Sequence, residues 1–149
     1  MNILVSQCLL GIDCNYKQTN KKNNKVLELM NNHNLIPICP EQLGGMTTPR
    51  PPSELINGRV INNKGEDVTK NYLQGAKLAL NIAKLYNVKY AILKSNSPSC
   101  GYGKIYDGTF SGTLINGNGT TADLLSKNGI KIFNENNIDM LIDEIKKQD

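Results

Sequence analysis

The 149-residue chain predicts an α/β domain: a mainly parallel, Rossmann-like sheet flanked by helices, with residues 1–149 forming one unit. Two patterns and the length carry this. Short apolar runs recur at 2–6, 35–38, 90–93 and 130–133, each the size of a buried strand. Helix-period segments lie between and after them, the order that parallel strands with helical crossovers require. The length suits one core and is short for two.

Asn2–Ser6 ends its apolar run in small polar residues and reads as the first strand. In 25–31, Val26, Leu29 and Met30 fall on one helical face. Leu35–Ile38 is the second strand, closed by Cys39-Pro40-Glu41. The segment 42–64 carries Gly44, Gly45, Pro49, Pro51 and Pro52, so it cannot be helical throughout, because proline lacks a donor and restricts its predecessor. Within it Gly58–Ile61 reads as an edge strand, and a connection of this length is commonly a binding loop or lid. Asp67 reads as the N-cap of a long helix over 68–86, whose stripe of Leu73, Ala76, Leu80 and Ala83 is expected to be buried. Tyr90–Leu93 is the third strand. A helix over 121–127 stops at Asn128-Gly129, a left-handed cap. Ile130–Phe133 is the fourth strand, and Ile138, Leu141, Ile142 and Ile145 share one face of a last helix.

Hydrophobic residues make up 39% and charged residues 20%, the balance of a soluble globular protein. The net charge of +4 comes from dispersed lysines and only two arginines, Arg50 and Arg59, which argues against specific nucleic-acid binding. No charged-then-apolar leader stands at the start, and no apolar run reaches the roughly 20 residues of a membrane span. A cytoplasmic protein is expected, whose thiols stay reduced. The one histidine, His33, ends a polar Asn-rich stretch and reads as a solvated helix-end residue. Proton transfer then falls to carboxylates, hydroxyls, lysines or thiols.

Cys8, Cys39 and Cys100 each follow one of the first three strands. In an open parallel sheet the loops at the carboxyl ends of the strands converge on one edge, where ligands bind. Residues remote in sequence are therefore expected to meet. Cys14 lies further along the first loop. The paired C-x-x-C elements of a zinc ribbon are missing. Spacing alone leaves open a metal or cluster site, a thiol nucleophile, and structural thiols. Around Cys100, the Ser97-Pro98-Ser99 turn stiffens one side, and Gly101 and Gly103 are expected to free backbone amides for a bulky or anionic group. The start of the 121–127 helix is a second candidate anion site. Tyr102 and Tyr106 are candidates to stack on a planar base. No phosphate-loop or dinucleotide fingerprint occurs.

Five motifs in order, Ile3–Gly11 (ILVSQCLLG), Cys39-Pro40-Glu41, Thr48–Pro52 (TPRPP), Ser97–Gly101 (SPSCG) and Ile105–Gly112 (IYDGTFSG), resemble the thiouracil desulfidase family, a bacterial family first described as a domain of unknown function. The resemblance implies a 4Fe–4S cluster held by three cysteines, here Cys8, Cys39 and Cys100, whose fourth iron takes the sulfur of the substrate. It places the catalytic carboxylate on Glu41 and the catalytic serine on Ser97. It implies non-redox desulfuration of a thiolated nucleobase or related small thiocarbonyl compound, 2-thiouracil giving uracil and hydrogen sulfide. A closed zinc or iron–sulfur protein with a structural or electron-transfer role is the alternative, and the oligomeric state is left open. The chain departs from the family after Cys14: Arg-Tyr-Asp-Gly is usual, and Asn15-Tyr16-Lys17-Gln18 stands here, which puts the shape or charge of the substrate pocket in question.

Overall fold

A computed structural model describes residues 1–148; Asp149, the last residue of the expected domain, lies outside the described residues. Four strands, β1 (Asn2–Ser6), β2 (Asn34–Ile38), β5 (Tyr90–Ile92) and β8 (Lys131–Phe133), form a parallel sheet in the order β2-β1-β5-β8. Its register pairs Ser6 with Ile38 and Val5 with Ile92. The chain leaves β1 toward one edge and returns to the other side of it as β5. The point where the strand order reverses therefore lies between β1 and β5, and a crevice opens there at the strand ends.

Alternation along the strands sorts the helices. Ile3, Val5, Tyr90, Ile92 and Phe133 pack with Val26 of α1 (Asn24–Glu28) and with Ile138, Leu141 and Ile145 of α5 (Ile138–Lys146). Leu4, Ala91, Leu93 and Ile132 pack with Ala79, Leu80 and Ala83 of α3 (Thr69–Leu85) and with Ala122 and Leu125 of α4 (Thr120–Lys127). Each of the large aliphatic side chains that is fully buried contributes about 1.5–3 kcal/mol relative to exposure.

Several expectations need correction. The helix expected over 25–31 ends after Glu28 and tightens into a 3₁₀ turn at Leu29–Asn31, which leaves Met30 exposed. In α3 the buried face is Tyr72, Ala76, Ala79, Leu80 and Ala83, and Leu73 is 57% exposed. Tyr72 takes the place assigned to Leu73 because its hydroxyl has a buried partner, described below. The edge strand expected at Gly58–Ile61 is one arm of a hairpin, β3 (Ser53–Ile56) and β4 (Arg59–Asn62), turned by Asn57-Gly58 with both residues at positive φ. A second hairpin, β6 (Lys104–Tyr106) and β7 (Leu114–Asn116), occupies a stretch read as loop.

The short helix α2 (Pro40–Leu43) begins directly after Cys39 and packs backbone to backbone on α3. A Cβ at Gly75 would stand 1.9 Å from the Pro40 carbonyl oxygen, and one at Gly44 would stand 2.0 Å from that of Asn71. Both positions accept only glycine at this separation. The contact sets α2 against the helix that carries Tyr72. Among the described residues, no helix is long and apolar enough to cross a membrane.

Candidate active site

The loops after β1, β2 and β5 meet at the crevice. Ser6, the last residue of β1, accepts a hydrogen bond from the Lys94 amide (2.9 Å) and donates one to Cys100 Sγ (3.3 Å), tying the two strand ends together. A pocket of about 500 Å³ opens there, lined by Cys8, Cys14, Cys39 and Cys100. All four cysteines are free and buried. The expected convergence of Cys8, Cys39 and Cys100 on one pocket is met. Cys14, set apart in the sequence reading, joins them: its thiol lies within hydrogen-bonding reach of those of Cys39 and Cys8.

Three of the thiols, Cys14, Cys39 and Cys100, are held in their protonated form. Burial pushes Cys100 up to about 12, against hydrogen bonds from Ser6 and Ser99. The neighbouring Cys14 thiol, with burial behind it, raises Cys39 well above the thiol range. Cys14 rises to about 11: contact with Cys39 lowers it, while contact with Cys8 and burial outweigh that. Clustered, buried, reduced sulfurs suit a cationic metal group, which deprotonates a coordinating thiol outright. The donor set therefore fits an iron–sulfur group. Among the described residues, no three His, Cys, Asp or Glu side chains are grouped around one point as a mononuclear ion requires.

Glu41, in the first turn of α2, is 14% exposed and faces the same pocket. Its Oε1 accepts from Arg50 Nε (2.9 Å) and from the Tyr72 hydroxyl (2.9 Å), and its Oε2 accepts from Ser99 Oγ (2.8 Å). Burial, then the Glu41 carboxylate, raises the Tyr72 phenol, so it remains a donor. Arg50 is almost wholly buried, and the rest of its guanidinium is satisfied by the Thr47 carbonyl, Thr48 Oγ1 and the Cys14 carbonyl. A buried ion pair is tolerated when its remaining donors and lone pairs find partners, as they do here. Arg50, Tyr72 and Ser99 escape sequence reasoning. The Pro-rich loop gives a signal for Arg50, since it carries one of only two arginines in the chain.

Ser97, the expected catalytic serine, lines the pocket, and its Oγ accepts from the Cys100 amide (2.7 Å) and lies 3.4 Å from Ser99 Oγ. Ser99, not Ser97, touches Glu41. The amides expected to be free are not. Gly101 N donates to the Ser97 carbonyl and Gly103 N to Asn118 Oδ1. The first amides of α4 are also spent: those of Thr121 and Ala122 donate to the Ser99 carbonyl, and that of Thr120 to Pro98. This helix start anchors the cysteine loop instead of an anion, and a Cβ at Gly119 would meet the Ser99 carbonyl at 2.6 Å. Of the two tyrosines proposed to stack, Tyr106 lines the pocket; Tyr102 lies outside it, against Ser126.

The loop that departs from the family contributes Asn15, Tyr16 and Lys17 to the pocket mouth, where Lys21 and Lys94 also stand. Lys94 pairs with Glu135 (2.9 Å). Gln18 takes a left-handed conformation (φ 60°). From the Pro-rich segment, Arg50, Pro52, Ser53 and Glu54 line the pocket. Phe110, which sequence reasoning missed, completes the side formed by the second hairpin.

Comparison with known proteins agrees with this architecture. Residues 3–137 match the family model described as 2-thiouracil desulfurase. An uncharacterized protein of Bacillus subtilis (strain 168), YbbK, is 43% identical over 150 residues, covering 94% of this chain and 99% of its own length. The solved structure of TudS, described as a 4Fe–4S-dependent thiouracil desulfidase, superposes with a TM-score of 0.92 at 38% identity, covering 97% of each chain. The chain belongs to the 2-thiouracil desulfurase family.

Proposed function

We propose that the protein is an iron–sulfur-dependent desulfidase that converts a small thiolated nucleobase or related thiocarbonyl compound to the carbonyl compound and hydrogen sulfide without net electron transfer. The observation that carries this is the meeting, in one pocket, of four reduced thiols with a carboxylate that is positioned by three donors. Cys8, Cys39 and Cys100 would hold a 4Fe–4S cluster. When bound, such a cluster supplies a Lewis-acidic iron that polarises C=S and accepts the sulfur.

The chain's own residues supply the rest. Glu41 is the general base: by way of the Ser99 hydroxyl its Oε2 takes one proton from the attacking water and, as the C–S bond breaks, the second from the hydroxyl left on carbon, and passes both to the departing sulfide to give hydrogen sulfide. Arg50 and Tyr72 occupy Oε1 and fix the carboxylate's rotamer, so Oε2 is the atom presented to the reaction. Ser97 is oriented by the Cys100 amide, which occupies one of its lone pairs and leaves its proton for substrate or for Ser99.

A second reading is favoured by one observation, the contact of Cys14 with Cys8 and Cys39. Four thiolates would close the site and leave a structural or electron-transfer centre. One experiment separates the two. Anaerobic purification is expected to give brown protein with about four irons per chain, releasing sulfide from 2-thiouracil. Replacing Cys8, Cys39 or Cys100 by alanine is expected to abolish the chromophore, and Cys14→Ala to keep it. Glu41→Gln is expected to keep the iron and lose about a hundredfold or more in sulfide release. Loss of colour in Cys14→Ala, or colourless protein with bound zinc, would establish the closed site.

A further inference from the structure

Phe110 stands in the second hairpin with φ 57°, a left-handed conformation that is strained for a bulky residue. Its neighbours at the same phase of the loop, Gly108 (φ 94°) and Gly112 (φ 80°), solve the same turn with glycine. At Gly108 a side chain would also strike Ile56 Cγ1 at 2.5 Å. The loop therefore keeps a large ring at the one left-handed position of the three where glycine would cost least in function if the ring had none. The ring is not there for the core: Phe110 belongs to neither hydrophobic layer of the sheet, is 38% exposed and lines the pocket.

The strain is held by a buried bracket. Glu54 of β3 is 8% exposed, and its Oε1 accepts from the amides of both Gly108 (3.0 Å) and Phe110 (3.1 Å). Asp107 closes the turn by accepting from the Thr109 amide (2.9 Å). Observed strain at a pocket wall, maintained by a dedicated side chain, is a mark of function. Phenylalanine offers a flat apolar face and no hydrogen-bonding group, so the partner it selects is itself flat and polarisable.

We propose that Phe110 is a specificity-determining residue: its ring stacks on the face of a planar heteroaromatic thiocarbonyl and so selects such rings over open-chain thioamides and thioureas, with Glu54 as its positioning residue. This rests on the desulfuration reading for the reaction, but the stacking can be read without turnover. The test measures binding of uracil and 2-thiouracil to cluster-free protein by calorimetry, and sulfide release from 2-thiouracil, thiourea and thioacetamide by reconstituted protein. Phe110→Ala is expected to weaken binding of both pyrimidines about tenfold, the scale of one base–aromatic stack. It is expected to raise KM for 2-thiouracil similarly and to leave kcat/KM for thiourea and thioacetamide unchanged. Phe110→Tyr is expected to restore ring binding.

Phe110→Gly separates recognition from architecture, because it removes the ring and relieves the backbone: Tm is expected to hold or rise while ring selectivity is lost. Equal effects on ring and open-chain compounds, unchanged pyrimidine binding in Phe110→Ala, or a fall of Tm in Phe110→Gly that accounts for the loss, would overturn the assignment. Pyrimidine binding that depends on Phe110 in a protein that releases no sulfide would uphold the stacking wall and refute the desulfuration reading instead.

Discussion

The wall of the pocket at the strand ends and the wall supplied by the second hairpin are held by different means. At the strand ends, Ser6, Cys39, Cys100 and Glu41 hang from β1, β2, β5 and α2, and each is fixed by partners from another part of the chain. Across the pocket, Tyr106 and Phe110 belong to a hairpin whose β7 residues are all exposed, and its tip is held by two carboxylates, Glu54 from β3 and Asp107 within the turn. The first wall is over-determined, whereas the tip of the second is tied to another element through Glu54. Groups that carry charge and protons need positions fixed to a fraction of an ångström, whereas a stacking surface tolerates displacement along its plane. The comparison assigns chemistry to the first wall and recognition to the second.

The largest expected effect comes from breaking the first wall. Arg50→Ala leaves Glu41 without its counter-charge in a buried site and removes the tie to the Cys14 carbonyl. A loss of about 3–5 kcal/mol in chemical-denaturation stability is expected. A loss below about 1 kcal/mol would mean that Tyr72 and Ser99 suffice to hold the carboxylate. Breaking the second wall is expected to cost less. Glu54→Gln keeps the shape and one acceptor but gives up charge-assisted bonds to two amides, for a loss of about 1–2 kcal/mol. Hydrogen exchange is expected to speed up at 108–112 and to stay unchanged at 97–100; faster exchange in both would show that the walls are not independent.

The smallest effect concerns pH. Burial would raise Glu135, but Lys94 and the Ser95 amide outweigh it, so its carboxyl is held below the ordinary 4.5 in the folded protein. A group depressed on folding contributes stability above its unfolded value and loses it as pH falls through the folded one. Between pH 7 and 5 the wild type is expected to keep this contribution, which declines from about pH 4.5 downward. Because Glu135 ties Ser95, and with it the Cys100 loop, to the segment after β8, Glu135→Gln is expected to flatten the acid limb of a Tm–pH curve. An unchanged acid limb would show that the first wall does not need this tie.

What was legible in the sequence follows the same division. The four sheet strands announced themselves as short apolar runs, most fully in β1 and β5, and the positions of Cys8, Cys39 and Cys100 followed from where parallel strands end. The second hairpin was hidden because Leu114 and Ile115 are exposed and alternate with nothing. The first was half hidden behind its polar start, Ser53-Glu54, although Asn57-Gly58 is a strong hairpin signal. Leu73 was misplaced because an unbranched apolar stripe outweighed a tyrosine whose reason for burial, Glu41, lies 31 residues away. Arg50 and Ser99 could not be assigned from spacing, since their roles exist only as contacts made across the fold.

The meeting of Gly44 and Gly75 leaves α2 without independent freedom of placement: one turn of helix is clamped to the 17-residue α3. The backbone of Glu41 therefore takes its coordinates from the scaffold, while its partner Arg50, whose amide donates to the Tyr16 carbonyl (2.9 Å), ties the carboxylate to the loop at 15–18 that borders the same cavity. A change of side chain in that loop alters the groups that a molecule meets at the pocket, and leaves α2 where the two glycines set it.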